Sequence, residues 1–159
     1  MKTEKRVEKI IATNKKAFHD FHILDTYEAG MSLRGTEVKS LRQGNCSLRE
    51  SYARIEGGEM FLYDMHIAPY EQGTYANHDP RRKRKLLLHK WQIERVSGNV
   101  QEKGLALVPT KVYFSGGRAK VEIGVARGKQ VHDKRRTIAE RDMKREVDRQ
   151  MREREKGGR

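Results

Sequence analysis

Cysteine is nearly absent: Cys46 is the only one in 159 residues. A single thiol excludes an internal disulfide and fits a reducing, cytoplasmic setting. No apolar run approaches the ~20 residues a membrane span needs, and the N-terminus lacks the apolar core of a signal peptide. No helix pairs a Trp/Phe/Leu-rich face with a basic one, so a membrane surface is a poor partner. A phosphate-binding P-loop is missing, and Ser47, Ser51 and Ser97 have no nucleophile-elbow context. The six histidines show no HExxH spacing and have no second cysteine to join them. His19 and His22, three apart on an expected strand, point to opposite faces. His132 and Asp133, adjacent on a helical arm, diverge by about 100°. Neither a catalytic residue, nor a metal, nor a cofactor is expected from this inventory, which disfavours a metal-dependent nuclease.

What the chain has in excess is positive charge. Lys and Arg number 35 against 22 Asp and Glu, a net charge of +13. Residues 128–159 carry 12 basic and 7 acidic residues, so that segment holds +5 and the rest keeps +8. A basic field spread over the whole molecule favours a polyanion. The seam between the two parts is Gly124-Val125-Ala126-Arg127-Gly128-Lys129-Gln130-Val131-His132-Asp133-Lys134-Arg135-Arg136. Before it the chain alternates apolar and polar residues as a half-buried strand does; after it charge takes over.

The expected organisation is a frayed segment at 1–13, a body at 14–127 and a basic tail at 128–159. A first strand carries Phe21 and Ile23 on one face and ends at Glu28, before Ala29-Gly30. Gly35-Thr36 opens a short helix with Val38 and Leu41 inward, Lys39 and Arg42 outward, and Gly44 just past its end. Gly57-Gly58 and Gly116-Gly117 read as tight hairpins. In the strand after the first pair, Phe61, Tyr63, Met65 and Ile67 are expected on one face. Residues 69–83 read as a loop in which Tyr70, Tyr75 and His78 precede the basic run Arg81-Arg82-Lys83-Arg84-Lys85, suited to stacking and phosphate contact. A helix is expected over 86–103, with Leu87, Trp91, Ile93, Val96 and Val100 on its apolar side, an interruption at Gly98 and a stop at Gly104. Pro109 places its strand at an edge or a bulge. About six antiparallel strands with inserted helices predict an oligonucleotide-binding (OB-fold) antiparallel β-barrel, with a split α+β sheet as the alternative. In the tail, Ile138, Met143, Val147 and Met151 make a thin apolar stripe, and Glu140 is placed to pair with Lys144. So narrow a stripe predicts an arm disordered when free and helical when bound to a polyanion.

Several motifs carry a resemblance. Tyr27-Glu28-Ala29-Gly30, Gly35-Thr36-Glu37-Val38-Lys39-Ser40-Leu41-Arg42, Ser51-Tyr52-Ala53-Arg54, His66-Ile67-Ala68-Pro69-Tyr70, Arg84-Lys85-Leu86-Leu87-Leu88 and Gly128-Lys129-Gln130-Val131-His132-Asp133-Lys134-Arg135 resemble the bacterial SsrA-binding proteins, the small protein B family. The resemblance runs in order from Asn14 to the end. It implies a non-enzymatic OB-fold protein that binds the tRNA-like part of transfer-messenger RNA and serves trans-translation, the rescue of stalled 70S ribosomes. It implies RNA contacts at Asn14, Lys16, His19 and Phe21 on the first strand, Glu28 at its end, Lys39, Arg42, Leu87 and His89. It places Lys129, His132, Asp133, Lys134 and Arg135 in a tail that enters the empty mRNA channel near the decoding centre, against small-subunit ribosomal RNA. Elongation factor Tu and alanyl-tRNA synthetase are implied only through the shared RNA, and the protein is implied to be a monomer. His89 stands where some relatives carry Asn, and Gln130 interrupts a Lys-Lys found in relatives. A structural ribosomal protein with a basic extension is the rival reading.

Overall fold

Glycine pairs at 57–58 and 116–117 reverse the chain in two tight hairpins, as the sequence predicts; all four glycines have positive φ, between 57° and 77°. The computed structural model describes residues 8–71, 78–129 and 131–157. The first of its two units, Met1–Gly128, runs β1 (Glu8–Thr13), α1 (Lys15–Asp20), β2 (Phe21–Met31), α2 (Gly35–Arg42), β3 (Cys46–Ser47), β4 (Tyr52–Glu56), β5 (Glu59–Tyr63), β6 (His66–Ile67), β7 (Arg84–Leu87), α3 (Lys90–Lys103), β8 (Ala106–Ser115) and β9 (Arg118–Gly128). The second unit, Lys129–Arg159, holds α4 (Val131–Gly157).

The large sheet has the order β1-β8-β4-β5-β7-β2-β9, and β8 also pairs with β9. Six strands therefore close a ring, and β1 is added along β8. All the pairings are antiparallel. This is the barrel expected from the sequence, and its closure excludes the open split sheet. Leu41, Met60, Leu62, Met65, Ile67 and Leu86 are among the side chains buried inside.

Several local expectations are corrected. Residues 8–13, expected to be frayed, form β1 against β8. Asn14 does not lead into a strand: its carboxamide accepts the Ala17 N–H and caps α1. The strand that follows continues through Ala29-Gly30 to Met31. On β5 the buried pair is Met60 and Leu62, with Phe61 and Tyr63 half-buried outside. Met65 and Ile67 nevertheless point inward, because Asp64 takes a left-handed turn at φ 58° and shifts the alternation by one residue. Residues 84–87 are a strand rather than the start of a helix, and α3 passes through Gly98 before Gly104 ends it in a left-handed conformation. Pro109 sits at a bulge, where the β8–β9 register shifts between Pro109 and Lys111.

The basic run at 81–85, expected to meet phosphate, is largely engaged by the protein's own carboxylates, Arg84 in the interior and Lys83 and Lys85 at the surface. Arg84 is fully buried and donates to Glu37 on α2 and to the carbonyls of Met65 (2.7 Å), Arg82 (3.1 Å) and Pro80 (3.2 Å). Arg82 reaches the other Glu37 oxygen at 2.5 Å. Lys83 pairs with Glu56 at 2.7 Å and Lys85 with Glu59 at 2.9 Å. His78, expected to be a stacking residue, is buried between the Thr36 hydroxyl and the Ile67 carbonyl. Tyr75 of the same expected loop lies outside the described residues. Burial alone would push the Glu37 carboxyl up; hydrogen bonds from Arg82, the Arg34 backbone N–H and Arg84 outweigh it and hold the carboxyl below its ordinary value.

The tail, expected to be disordered when free, is one helix of 27 residues. Ile138, Met143, Val147 and Met151 are exposed along it. Glu140, expected to pair with Lys144, meets Arg136 at 3.2 Å, and Arg149 meets Glu146 at 2.8 Å. Such exposed pairs each contribute only ~0.3–0.5 kcal/mol.

Candidate nucleic-acid interface

The residues expected to face RNA fall into three groups. The first lies at the start of β2. Lys16 and His19 are on α1, not on the expected strand. Lys16 reaches Glu50 at 3.4 Å, and His19 Nδ1 lies 2.8 Å from Asp20. Phe21 packs on Ala17, Val108 and Ala126. Asn14, Lys16 and Phe21 line one small recess with Arg49 and Tyr52. Within it Asn14 is buried, and its amide donates to the Pro109 carbonyl at 2.9 Å and the Leu48 carbonyl at 3.2 Å. Its polar atoms are therefore committed to joining α1, β8 and the 48–51 turn, which makes it a support for Lys16 and Phe21. Asn14→Ala leaves two buried carbonyls and one helix N–H without these partners. It is expected to cost ~2–3 kcal/mol of stability, measured as a drop in melting temperature. An unchanged melting temperature with weakened RNA binding would instead make Asn14 a contact.

The second group meets at Gly30, where β2 is flanked on both sides. Gly30 pairs with Leu87 of β7 and with Lys120 of β9. A Cβ at this position would lie 3.3 Å from Leu87 Cβ, so glycine allows the close approach. Around it Glu28, Leu87, His89, Gln92 and Lys120 line a recess of about 480 Å3. Glu28 is exposed but held: the Tyr113 hydroxyl donates to one oxygen, and Lys120 Nζ is 4.0 Å from the other. Tyr113 and Lys120 are cross-strand neighbours, so the β8–β9 hairpin fixes both against Glu28. His89 precedes α3, and its backbone N–H donates to Gln92 Oε1 at 3.1 Å. Leu87, expected on a helix, is at the end of β7 and half-exposed. Sequence reasoning passed over Lys120, although the alternation of the last strand already pointed it away from the core, and Gln92, for which there was no signal.

The third group is Lys39 and Arg42 on the outer side of α2. Both are exposed, and each is held over an aromatic ring, Lys39 5.4 Å from the Tyr70 centroid and Arg42 6.0 Å from that of Phe114. In the tail unit Lys129 Nζ donates to Thr137 Oγ1 at 3.0 Å, Lys134 and Arg135 lie on α4, and the side chains of His132 and Asp133 lie outside the described residues.

The Gly30 recess offers a carboxylate acceptor, an imidazole, a carboxamide and one ammonium group. That set suits hydrogen bonding to base edges and ribose hydroxyls with a nearby phosphate. Among the described residues no cluster of three or more His, Cys, Asp or Glu is placed to hold a metal ion, and no helix is long and apolar enough to cross a membrane.

The chain is 58% identical to the SsrA-binding protein of Carboxydothermus hydrogenoformans, over 93% of this chain and 99% of that one. It is 56% identical to the SsrA-binding protein of Pelotomaculum thermopropionicum, over 92% and 95% of the two chains. A solved structure described as tmRNA-SmpB at the center of the bacterial ribosome matches with a TM-score of 0.64 and 58% identity, covering 76% of this chain and 85% of that one. The family model described as SmpB protein matches residues 11–153. With a match across both the barrel and most of α4, this chain belongs to the SmpB family.

Proposed function

We propose that the chain binds the tRNA-like domain of transfer-messenger RNA, the SsrA RNA, and delivers it to stalled 70S ribosomes for trans-translation, with its tail in the empty mRNA channel near the decoding centre. The observation that carries this reading is the Gly30 recess, which gathers Glu28, Leu87 and His89 from three elements beside Lys120. The likeness to a tmRNA-SmpB structure on the bacterial ribosome supports it. Glu28 accepts hydrogen bonds from base amino groups or 2′-hydroxyls, and Lys120 prevents its charge from repelling the backbone. Lys16, Lys39 and Arg42 contact phosphates. The chain acts as a cytoplasmic monomer, and elongation factor Tu and alanyl-tRNA synthetase meet it only through the RNA.

The test is titration of a transcript of the tRNA-like domain at several salt concentrations. Log affinity is expected to fall by ~0.7–0.9 per decade of salt for each phosphate neutralised. Glu28→Gln keeps an acceptor for Tyr113 and removes the charge. It is expected to weaken binding by ~1–3 kcal/mol while the melting temperature stays within ~2 °C. Salt-independent binding, or a Glu28→Gln protein that unfolds without a separate binding defect, would overturn the reading.

A further inference from the structure

Trp91 is the single tryptophan of the chain, and it is 59% exposed. Helix geometry keeps it outside. On α3 the buried residues are Ile93 and Val96, and at 100° per residue position 91 lies about 200° from 93 and about 140° from 96. The indole therefore stands on the solvent side of the first turn, one residue from Gln92 and two from His89, which both line the Gly30 recess. The rings of His89 and Trp91 are nearly parallel, 10° apart in plane, with centroids 6.3 Å apart. His89, which lines the recess, and Trp91 beside it thus present two nearly parallel rings.

We infer that Trp91 is an RNA-contacting residue at the edge of this recess, whose indole stacks on an unpaired nucleobase while Glu28, His89 and Lys120 hold the neighbouring ribose and phosphate. The inference rests on the proposed RNA-binding role and adds a contact that the resemblance does not supply. A protein partner would need a broad apolar patch around the indole. The surroundings are instead polar and basic: Lys90 and Arg95 on the same helix and Lys120 across the recess, with Glu94 and Glu28 as the acidic neighbours; of the two leucines that line the recess, Leu88 packs on the core and Leu87 is half-exposed. A flat ring among cations and hydrogen-bonding groups matches a base joined to a charged backbone, because every base offers a π face whatever its sequence.

With one tryptophan, the intact full-length protein reports on the contact without any mutation. Indole emission is followed during titration with the tRNA-like-domain transcript, and affinity is measured in parallel by filter binding. The emission is expected to be quenched along the same binding curve. Trp91→Ala is expected to weaken binding about five- to hundred-fold, the scale of losing one base–aromatic stack, and Trp91→Phe by only a few-fold. Trp91 is outside the core, so both variants are expected to melt with the parent. Tight RNA binding with silent emission, or a Trp91→Ala protein that binds like the parent, would overturn the inference and leave the proposed function standing. Absence of RNA binding by the parent would overturn both. An emission change on adding vacant 70S ribosomes but not RNA would also overturn it, by assigning the indole to a ribosomal partner.

Discussion

Replacing Glu37 by Ala is expected to destabilise the barrel by ~3–5 kcal/mol, the scale of leaving a buried charge without its partner. Glu37 and Arg84 are both fully buried, and Arg84 can neither lose its proton nor reach water. Without the carboxylate the guanidinium retains its bonds to the Met65, Arg82 and Pro80 carbonyls, but it loses the one carboxylate in direct contact with it and keeps only the weaker attraction of Asp79. Arg82 loses its carboxylate as well, keeping only the Lys83 and Ser32 carbonyls, and the Arg34 N–H at the start of α2 loses its acceptor. For a body of this size the melting temperature should drop by roughly 10–20 °C in a thermal scan followed by circular dichroism. The same group predicts a pH dependence. Its folded-state pKa is depressed, so its contribution is present above the unfolded carboxylate pKa of ~4.3 and lost as pH falls through the lower folded value. The difference between the parent and Glu37→Ala stability curves should therefore shrink on acidification. A variant that melts with the parent, or a difference that does not vary with pH, would show that the buried cluster contributes little.

Ending the chain after Gly128 is expected to abolish peptide tagging on stalled ribosomes in a reconstituted translation system, while affinity for the tRNA-like domain stays within a few-fold. Gly128 must be kept because it pairs with Phe21 at the end of β9. Among the described residues no core residue lies beyond it: Ile138, Met143, Val147 and Met151 are all exposed on α4. The truncated protein should thus fold and melt close to the parent. What it loses is a segment with 12 Lys and Arg against 7 Asp and Glu, most of it the long helix α4, a shape and charge suited to a polyanionic channel. Changing Asp133-Lys134-Arg135 to Ala should reproduce the defect without shortening the helix. Normal tagging by the truncated protein would make the tail dispensable, and loss of RNA binding would move part of the RNA site into it.

Much of the barrel could be read from local signals that leave little choice. A glycine pair between alternating segments specifies a hairpin, and Gly104 after an apolar-periodic run specifies a helix end; both are found as expected. The misread stretches had signals with two meanings. Leu86-Leu87-Leu88 is an apolar run that fits a buried strand or a helix start, and only pairing with β2 and β5 decides for the strand. Asp64 hides a change of face, because a positive φ on a non-glycine leaves no pattern. The run at 81–85 looked like a free cationic patch because Glu37, Glu56 and Glu59, which engage it, are distant in sequence. The candidate site divides in the same way. Resemblance supplied Glu28, Leu87 and His89, but their convergence at Gly30 depends on which strands flank β2, a property of the closed ring alone.

That ring has a consequence for the order in which the molecule comes into being. The hairpins β4–β5 and β8–β9 join neighbours in sequence, whereas β2 must find β9 roughly a hundred residues further along the chain. Closing so long a loop carries a large entropic cost before any contact rewards it, so it falls late in folding. During synthesis β2 waits, with one edge open, until nearly the whole body has left the ribosome. Glu28 and Lys120 sit on the two strands that meet in this last step, so a nascent chain has no recess to offer RNA until its barrel has shut.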